Sequence, residues 1–117
     1  MNKVELMGRL TADVELKESA KENSKKYAKF SLAVPRKLDK EKTDFINCVA
    51  FGRIADTIAK YCKKGMKIIV CGSLQIDSYT TKDGASAKST TVIVDDFYFT
   101  EFNKKVNEDN SDNETVF

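Results

Sequence analysis

Between Lys3 and Leu10 the chain alternates, with Val4, Leu6, Gly8 and Leu10 on one side and Lys3, Glu5, Met7 and Arg9 on the other. A period of two is the mark of a strand with one buried face. Thr11 to Asp13 permits a bend, and the alternation returns from Tyr27 to Val34: Ala28, Phe30, Leu32 and Val34 share one side, Tyr27, Lys29, Ser31 and Ala33 the other. Pro35 ends this second strand because it has no N–H to give a sheet ladder. The intervening residues 18–26, ESAKENSKK, have the polar, lysine-rich composition of a hairpin loop, and residues 36–43, RKLDKEKT, read as a second charged loop. A third strand is predicted over residues 44–51, DFINCVAF, rich in β-formers and presenting Phe45, Asn47, Val49 and Phe51 on a common face.

Gly52 interrupts that pattern, and the period changes. In RIADTIAKYCKK, residues 53–64, Ile54, Ile58, Tyr61 and Cys62 recur at the i, i+4, i+7, i+8 spacing of an amphipathic helix. Lys63 and Lys64 suit its negative end and Gly65 its C-terminal cap. Residues 66–81 then form a long fourth strand, with Ile68, Val70, Leu74 and Ile76 on one face, Gln75, Asp77 and Tyr79 on the other, and a bend at Gly72. A turn at Lys82 to Gly84 leads into a fifth strand over residues 89–102, whose Phe97, Tyr98, Phe99 and Phe102 are assigned to the core or a subunit interface.

Three strands, one helix and two strands predict an all-β protein with one helix: an OB-fold, a five-stranded Greek-key β-barrel with the helix between strands 3 and 4. Closure is favoured over a sandwich, which needs more strands, and over an open sheet, which leaves edges to protect. With 117 residues there is room for one core. The domain is placed at residues 1–102. Residues 103–117 have almost no apolar content and read as a short disordered acidic tail.

Charge divides along the same line. All 20 basic residues lie at or before Lys105, against 14 of the 18 acids, so residues 1–105 carry +6 although the whole chain carries +2. A basic domain of this kind favours a polyanionic partner. The chain has no histidine, which removes the commonest general base and zinc ligand, and no glycine-rich phosphate loop; no enzyme, no cofactor and no metal are expected. Cys48, Cys62 and Cys71 lack C-x-x-C spacing and read as buried thiols. No apolar run approaches the roughly 20 residues of a membrane helix, and the opening residues lack an export signal, so a cytoplasmic, nucleoid-associated protein without membrane contact is expected.

Sequence-tolerant single-strand binders need flat rings for base stacking and cations that follow the phosphates. Phe45, Phe51 and Tyr79 supply the rings, and Arg9, Lys29, Arg36, Arg53, Lys67 and Lys88 stand on nearby strands or their ends. The segments MNKVELMGRLTADVEL, FSLAVPRK, DFINCVAFGRIADTIAKYCKKG and GSLQIDSYTTKDG resemble, in order and spacing, the bacterial single-stranded DNA-binding protein family over about residues 1 to 102. The resemblance implies an OB-fold, usually a homotetramer, that wraps single-stranded DNA in replication, recombination and repair. It also implies that Phe45, Phe51 and Tyr79 occupy base-stacking positions. A fourth such position, a tryptophan in many relatives, falls on Leu38, which packs on a base without stacking as a ring does. Phosphate contacts are carried over to Arg9, Lys29, Arg36, Lys37, Arg53 and Lys67, while Asp77 opposes phosphate beside Tyr79.

Members of that family end in an acidic tip that docks on replication and repair proteins. Here the corresponding residues are Glu108, Asp109, Asp112, Glu114, Val116 and Phe117, without the usual proline before the phenylalanine and without the long linker. The alternative from another class is an OB-type, primosomal-style adaptor whose main surface binds protein. A nuclease built on Asp95 and Asp96 is disfavoured, because neighbours on a strand point to opposite faces.

Overall fold

The computed structural model describes residues 1–19 and 25–100. Its strands are β1 (Val4–Leu10), β2 (Leu16–Ser19), β3 (Lys25–Pro35), β4 (Thr43–Phe51), β5 (Lys67–Thr80) and β6 (Ser86–Phe99), with helix α1 (Gly52–Tyr61) between β4 and β5. They form one sheet in the order β1-β5-β6-β4-β3-β2, and a further β1–β3 pairing at Arg9↔Ala33 and Leu10↔Leu32 closes it on itself. Only the β4–β6 contact is parallel among these pairings. The circuit β1-β5-β6-β4-β3-β1 has five strands, as the OB-fold requires.

β2 is an addition to the expected elements. It pairs with the start of β3, from Leu16↔Ala28 to Ser19↔Lys25, so both ends of the stretch read as a loop, residues 18–19 and 25–26, are ladder. β1 and β2 lie one after the other along the same edge of β3, broken by the bend at residues 11–15. Its sequence, LKES, has one apolar side chain, and its pairing is made by backbone groups that composition does not reveal.

The alternation seen in β1, β3 and β4 matches the burial. Leu10, Ala28, Phe30, Leu32, Cys48 and Ala50 are buried in a common core with Ile68, Val70, Val92 and Val94. Full burial of one such aliphatic side chain contributes roughly 1.5–3 kcal/mol. α1 adds Ala55 and Ile58, with Cys62 buried just beyond its end. These three are spaced i, i+3, i+7, which leaves Tyr61 at the edge of the stripe and exposed, not in it. The helix ends with Cys62 in an extended conformation, and Gly65 caps a later turn instead. Its φ of +84° allows the Lys63–Met66 turn, closed by a Met66 N–H to Lys63 carbonyl bond of 3.0 Å.

The structure differs from expectation at three further points. Leu74 and Ile76 share the inward side of β5 with Ile68 and Val70 but are 40% and 55% exposed. The β5–β6 register shifts between Cys71 and Gly72, skipping Asp95, and beyond the Leu74↔Val92 pair the two strands run on past the core as a ribbon. Gly72 is required there: a Cβ on it would lie 1.9 Å from the Ile93 carbonyl oxygen. Cys71 is only partly buried, because it lies on the outer side of β5 opposite Glu5, whereas Cys48 and Cys62 are buried. The fifth strand runs from Ser86 to Phe99, with Phe97 and Phe99 edge to face with each other and packed against the core.

Candidate nucleic-acid interface

β3 buries alternate residues and so does β4, except that Val49 is covered on the other side as well, and the intervening residues form a single outer face. Register sets the pairs Tyr27↔Phe51, Lys29↔Val49, Ser31↔Asn47 and Ala33↔Phe45 across it. Val49↔Ile93 carries the face onto β6, and Thr91↔Gln75, Ser89↔Asp77 and Ala87↔Tyr79 carry it onto the β5/β6 ribbon. Because β4 and β6 pair only at residues 48–50 and 92–94, the ribbon diverges from β4 and a groove of about 810 Å³ opens between them.

One wall of the groove is Lys25, Tyr27 and Lys29 of β3. Its floor includes Asn47, Val49 and Phe51 of β4, and the other wall is Ser89, Thr91 and Ile93 of β6 with Gln75 and Asp77 of β5. Lysines thus face hydroxyls and amides across an apolar strip, with a single carboxylate, Asp77, which accepts a 3.1 Å hydrogen bond from the Gln75 side chain. Phe45, Phe51 and Tyr79 are 67%, 41% and 53% exposed, and all three lie on this one outer face. Phe51 and Lys29 line the groove itself, while Phe45 and Tyr79 lie on the same face outside its lining. Leu38 is fully exposed, next to Lys37 in the β3–β4 connection.

The cations expected to meet phosphate are differently placed. Arg9 and Lys67 are cross-strand partners on β1 and β5, and Arg9 donates from Nη1 to the Gly65 carbonyl at 2.8 Å. Arg36 is engaged with Asp44 through Nε and Nη2 at 3.0–3.2 Å, a two-pronged exposed pair that pushes the guanidinium pKa further up, by hydrogen bonding first and charge attraction second. Arg53 is in the first turn of α1, two residues past Phe51. Lys88 pairs with Ser78, so it shares the ribbon side of Ile76 and not that of Tyr79 and Asp77. Of the cations named from sequence, Lys29 is the one that lines the groove.

Among the lining residues without a role assigned from sequence are a ring and a cation, Tyr27 and Lys25. Alternation puts Tyr27 on the outer side of its strand, and composition puts Lys25 in the expected loop. Following the YAKFSLAV alternation two residues back would have reached Lys25. The Tyr27 and Phe51 ring centroids are 6.4 Å apart with planes at 44°, Lys25 Nζ lies 5.4 Å from the Phe51 centroid, and Lys29 Nζ 6.0 Å from that of Tyr27. Such cation–π contacts at exposed sites are worth about 0.5–1 kcal/mol, small enough for a base to displace.

The tip residues Glu108, Asp109, Asp112, Glu114, Val116 and Phe117 lie outside the described residues, as does Phe102. Among the described residues no group of three or more His, Cys, Asp or Glu side chains is placed to hold a metal ion, and no helix is long and apolar enough to cross a membrane. Asp96 is occupied locally, accepting from the Tyr98 hydroxyl at 2.8 Å and the Phe97 N–H at 2.9 Å.

Comparison with known proteins points the same way as this geometry. A single-stranded DNA-binding protein of Clostridium perfringens is 44% identical over 99 residues, covering 85% of this chain, and the chain spans 65% of that relative's length. One from Fusobacterium nucleatum is 42% identical over 107 residues, covering 86% of this chain and 68% of the relative. Among solved structures, a Plasmodium falciparum SSB complex with ssDNA superposes with a TM-score of 0.72 at 29% identity, covering 86% of this chain and 96% of that one. The closed sheet with its helix between β4 and β5 is therefore an OB-fold. With residues 1–100 matching the profile of the single-strand binding protein family, nearly the whole described domain is accounted for, and the chain belongs to that family.

Proposed function

We propose that this chain binds single-stranded DNA, largely without regard to sequence, and protects it during replication, recombination and repair. The observation that carries the reading is the outer face on which Phe45, Phe51 and Tyr79 stay 41–67% exposed beside a groove walled by Lys25 and Lys29. Rings that the core does not need are open to unpaired bases, and each base–ring stack is worth about 1–3 kcal/mol. Lys29, with Arg9, Lys37, Arg53 and Lys67 further out, draws in the phosphates; Leu38 offers a packing contact on the β3–β4 connection. The role is one of holding rather than catalysis.

Family membership supports an assembly of several copies, a homotetramer, acting in the cytoplasm at the nucleoid. The acidic residues from Glu108 to Glu114 with Val116 and Phe117 are proposed as a docking tip for replication and repair proteins. A triple variant, Phe45→Ala, Phe51→Ala and Tyr79→Ala, tests the DNA reading by titration with labelled poly-dT. Since all three rings are substantially exposed, the fold should persist while affinity falls by at least tenfold, a loss of about 1.4 kcal/mol. Unchanged affinity would instead favour the adaptor whose main surface binds protein.

A further inference from the structure

We infer that Tyr27, with Lys25, forms an additional nucleotide subsite at the β2 end of the groove, one that takes a base beyond those on Phe45, Phe51 and Tyr79. This deepens the single-strand reading and rests on it. Tyr27 is cross-strand from Phe51 and lines the same groove. Their planes are tilted by 44° at 6.4 Å, so one flat base cannot lie parallel to both rings. Each ring takes its own base, and the pair splays two successive bases.

The cations fit the same arrangement. Lys25 and Lys29 stand two residues on either side of Tyr27 along β3, on its outer face, about 13 Å apart at the usual strand rise. In the free protein Lys25 Nζ lies over Phe51 and Lys29 Nζ over Tyr27. A base arriving on either ring displaces the ammonium toward the neighbouring phosphates, so the cation is already in place when the stack forms. The subsite also offsets the weak position at Leu38, where no ring is available.

Tyr27→Leu keeps an apolar contact with Phe51 but removes the ring, whereas Tyr27→Phe keeps the ring. Titrated with labelled oligo-dT, Tyr27→Leu should weaken binding by about 5- to 150-fold, the equivalent of one lost stack, and Tyr27→Phe should bind as the unaltered chain does. Lys25→Ala should lower the slope of log affinity against log salt by about 0.7, one phosphate contact to a single strand, an effect that packing alone does not produce. Phe45→Ala is run alongside. If it weakens binding while Tyr27→Leu does not, Tyr27 merely packs on Phe51 and the subsite is refuted. If neither matters, the single-strand reading itself has failed.

Discussion

Gly72→Ala adds one methyl group at the point where the β5/β6 ribbon leaves the barrel. The added carbon would sit 1.9 Å from the Ile93 carbonyl oxygen and 2.8 Å from its carbon, both backbone atoms of the adjacent strand. Side-chain rotation cannot relieve this; β5 and β6 must separate by more than 1 Å, on the order of the gap to ordinary van der Waals contact. Overpacking typically costs 1–3 kcal/mol, and a clash with backbone belongs at about the upper end. Up to about 1 kcal/mol is returned by the lower entropy of the unfolded chain when glycine is replaced. The net loss is about 2 kcal/mol or more, which for a domain of this size lowers the melting temperature by roughly 8–16 °C. Gly65→Ala is the control: its Cβ meets nothing within 4 Å, so only the left-handed φ is penalised, at about 1–2 kcal/mol. Thermal melts of both variants, followed by poly-dT titration of the folded fraction, decide the matter. If Gly72→Ala melts no lower than Gly65→Ala and binds DNA normally, the close approach at the bulge does not shape the groove.

Other outcomes follow from named groups. Burial pushes the Cys48 thiol up to about 12 and that of Cys62 to about 11, from 9.0, so the folded state keeps protons that the unfolded chain releases. Stability should therefore fall as pH rises past 9.0, by about 1.4 kcal/mol per pH unit for each thiol, and Cys48→Ala should remove its share of that slope in urea unfolding on the two sides of pH 9.0; an unchanged slope counts against it. Asp44→Ala frees Arg36 from its partner, so the salt slope of DNA binding should steepen by about 0.7 if the released guanidinium reaches a phosphate. Deleting residues 108–117 should abolish pull-down of replication and repair proteins and tighten DNA binding at low salt by removing competing negative charge. Unchanged pull-down and affinity would exclude both roles.

Much of the fold was legible because strands with one buried face write that face into alternate positions: Ala28, Phe30, Leu32 and Val34 identify one side of β3 without reference to the rest of the chain. Alternation names a side but not what covers it. Leu74 and Ile76 continue the inward series of Ile68 and Val70, yet the β1 ladder stops at Val4↔Gly72, and beyond it β5 is left uncovered on that side. β2 escaped notice because its ladder is made by backbone atoms and Leu16 is its one apolar residue. At the interface, the rings were recognisable by type and position. The state of the cations was not, since Arg36 depends on Asp44 across a hairpin and Lys88 on which side the Ser78 register gives it. Tyr27 was recognisable as outward-facing, but its partnership with Phe51 needed the β3–β4 register.

In the proposed reading, unpaired bases lie on exposed rings beside a lysine-walled groove. Titration of the full chain with labelled poly-dT, duplex DNA and RNA at two salt concentrations, with light scattering for stoichiometry, separates this from its rivals. Poly-dT should bind far more tightly than duplex, with affinity falling as salt rises. Duplex bound as tightly as poly-dT, or no binding to either, would contradict it.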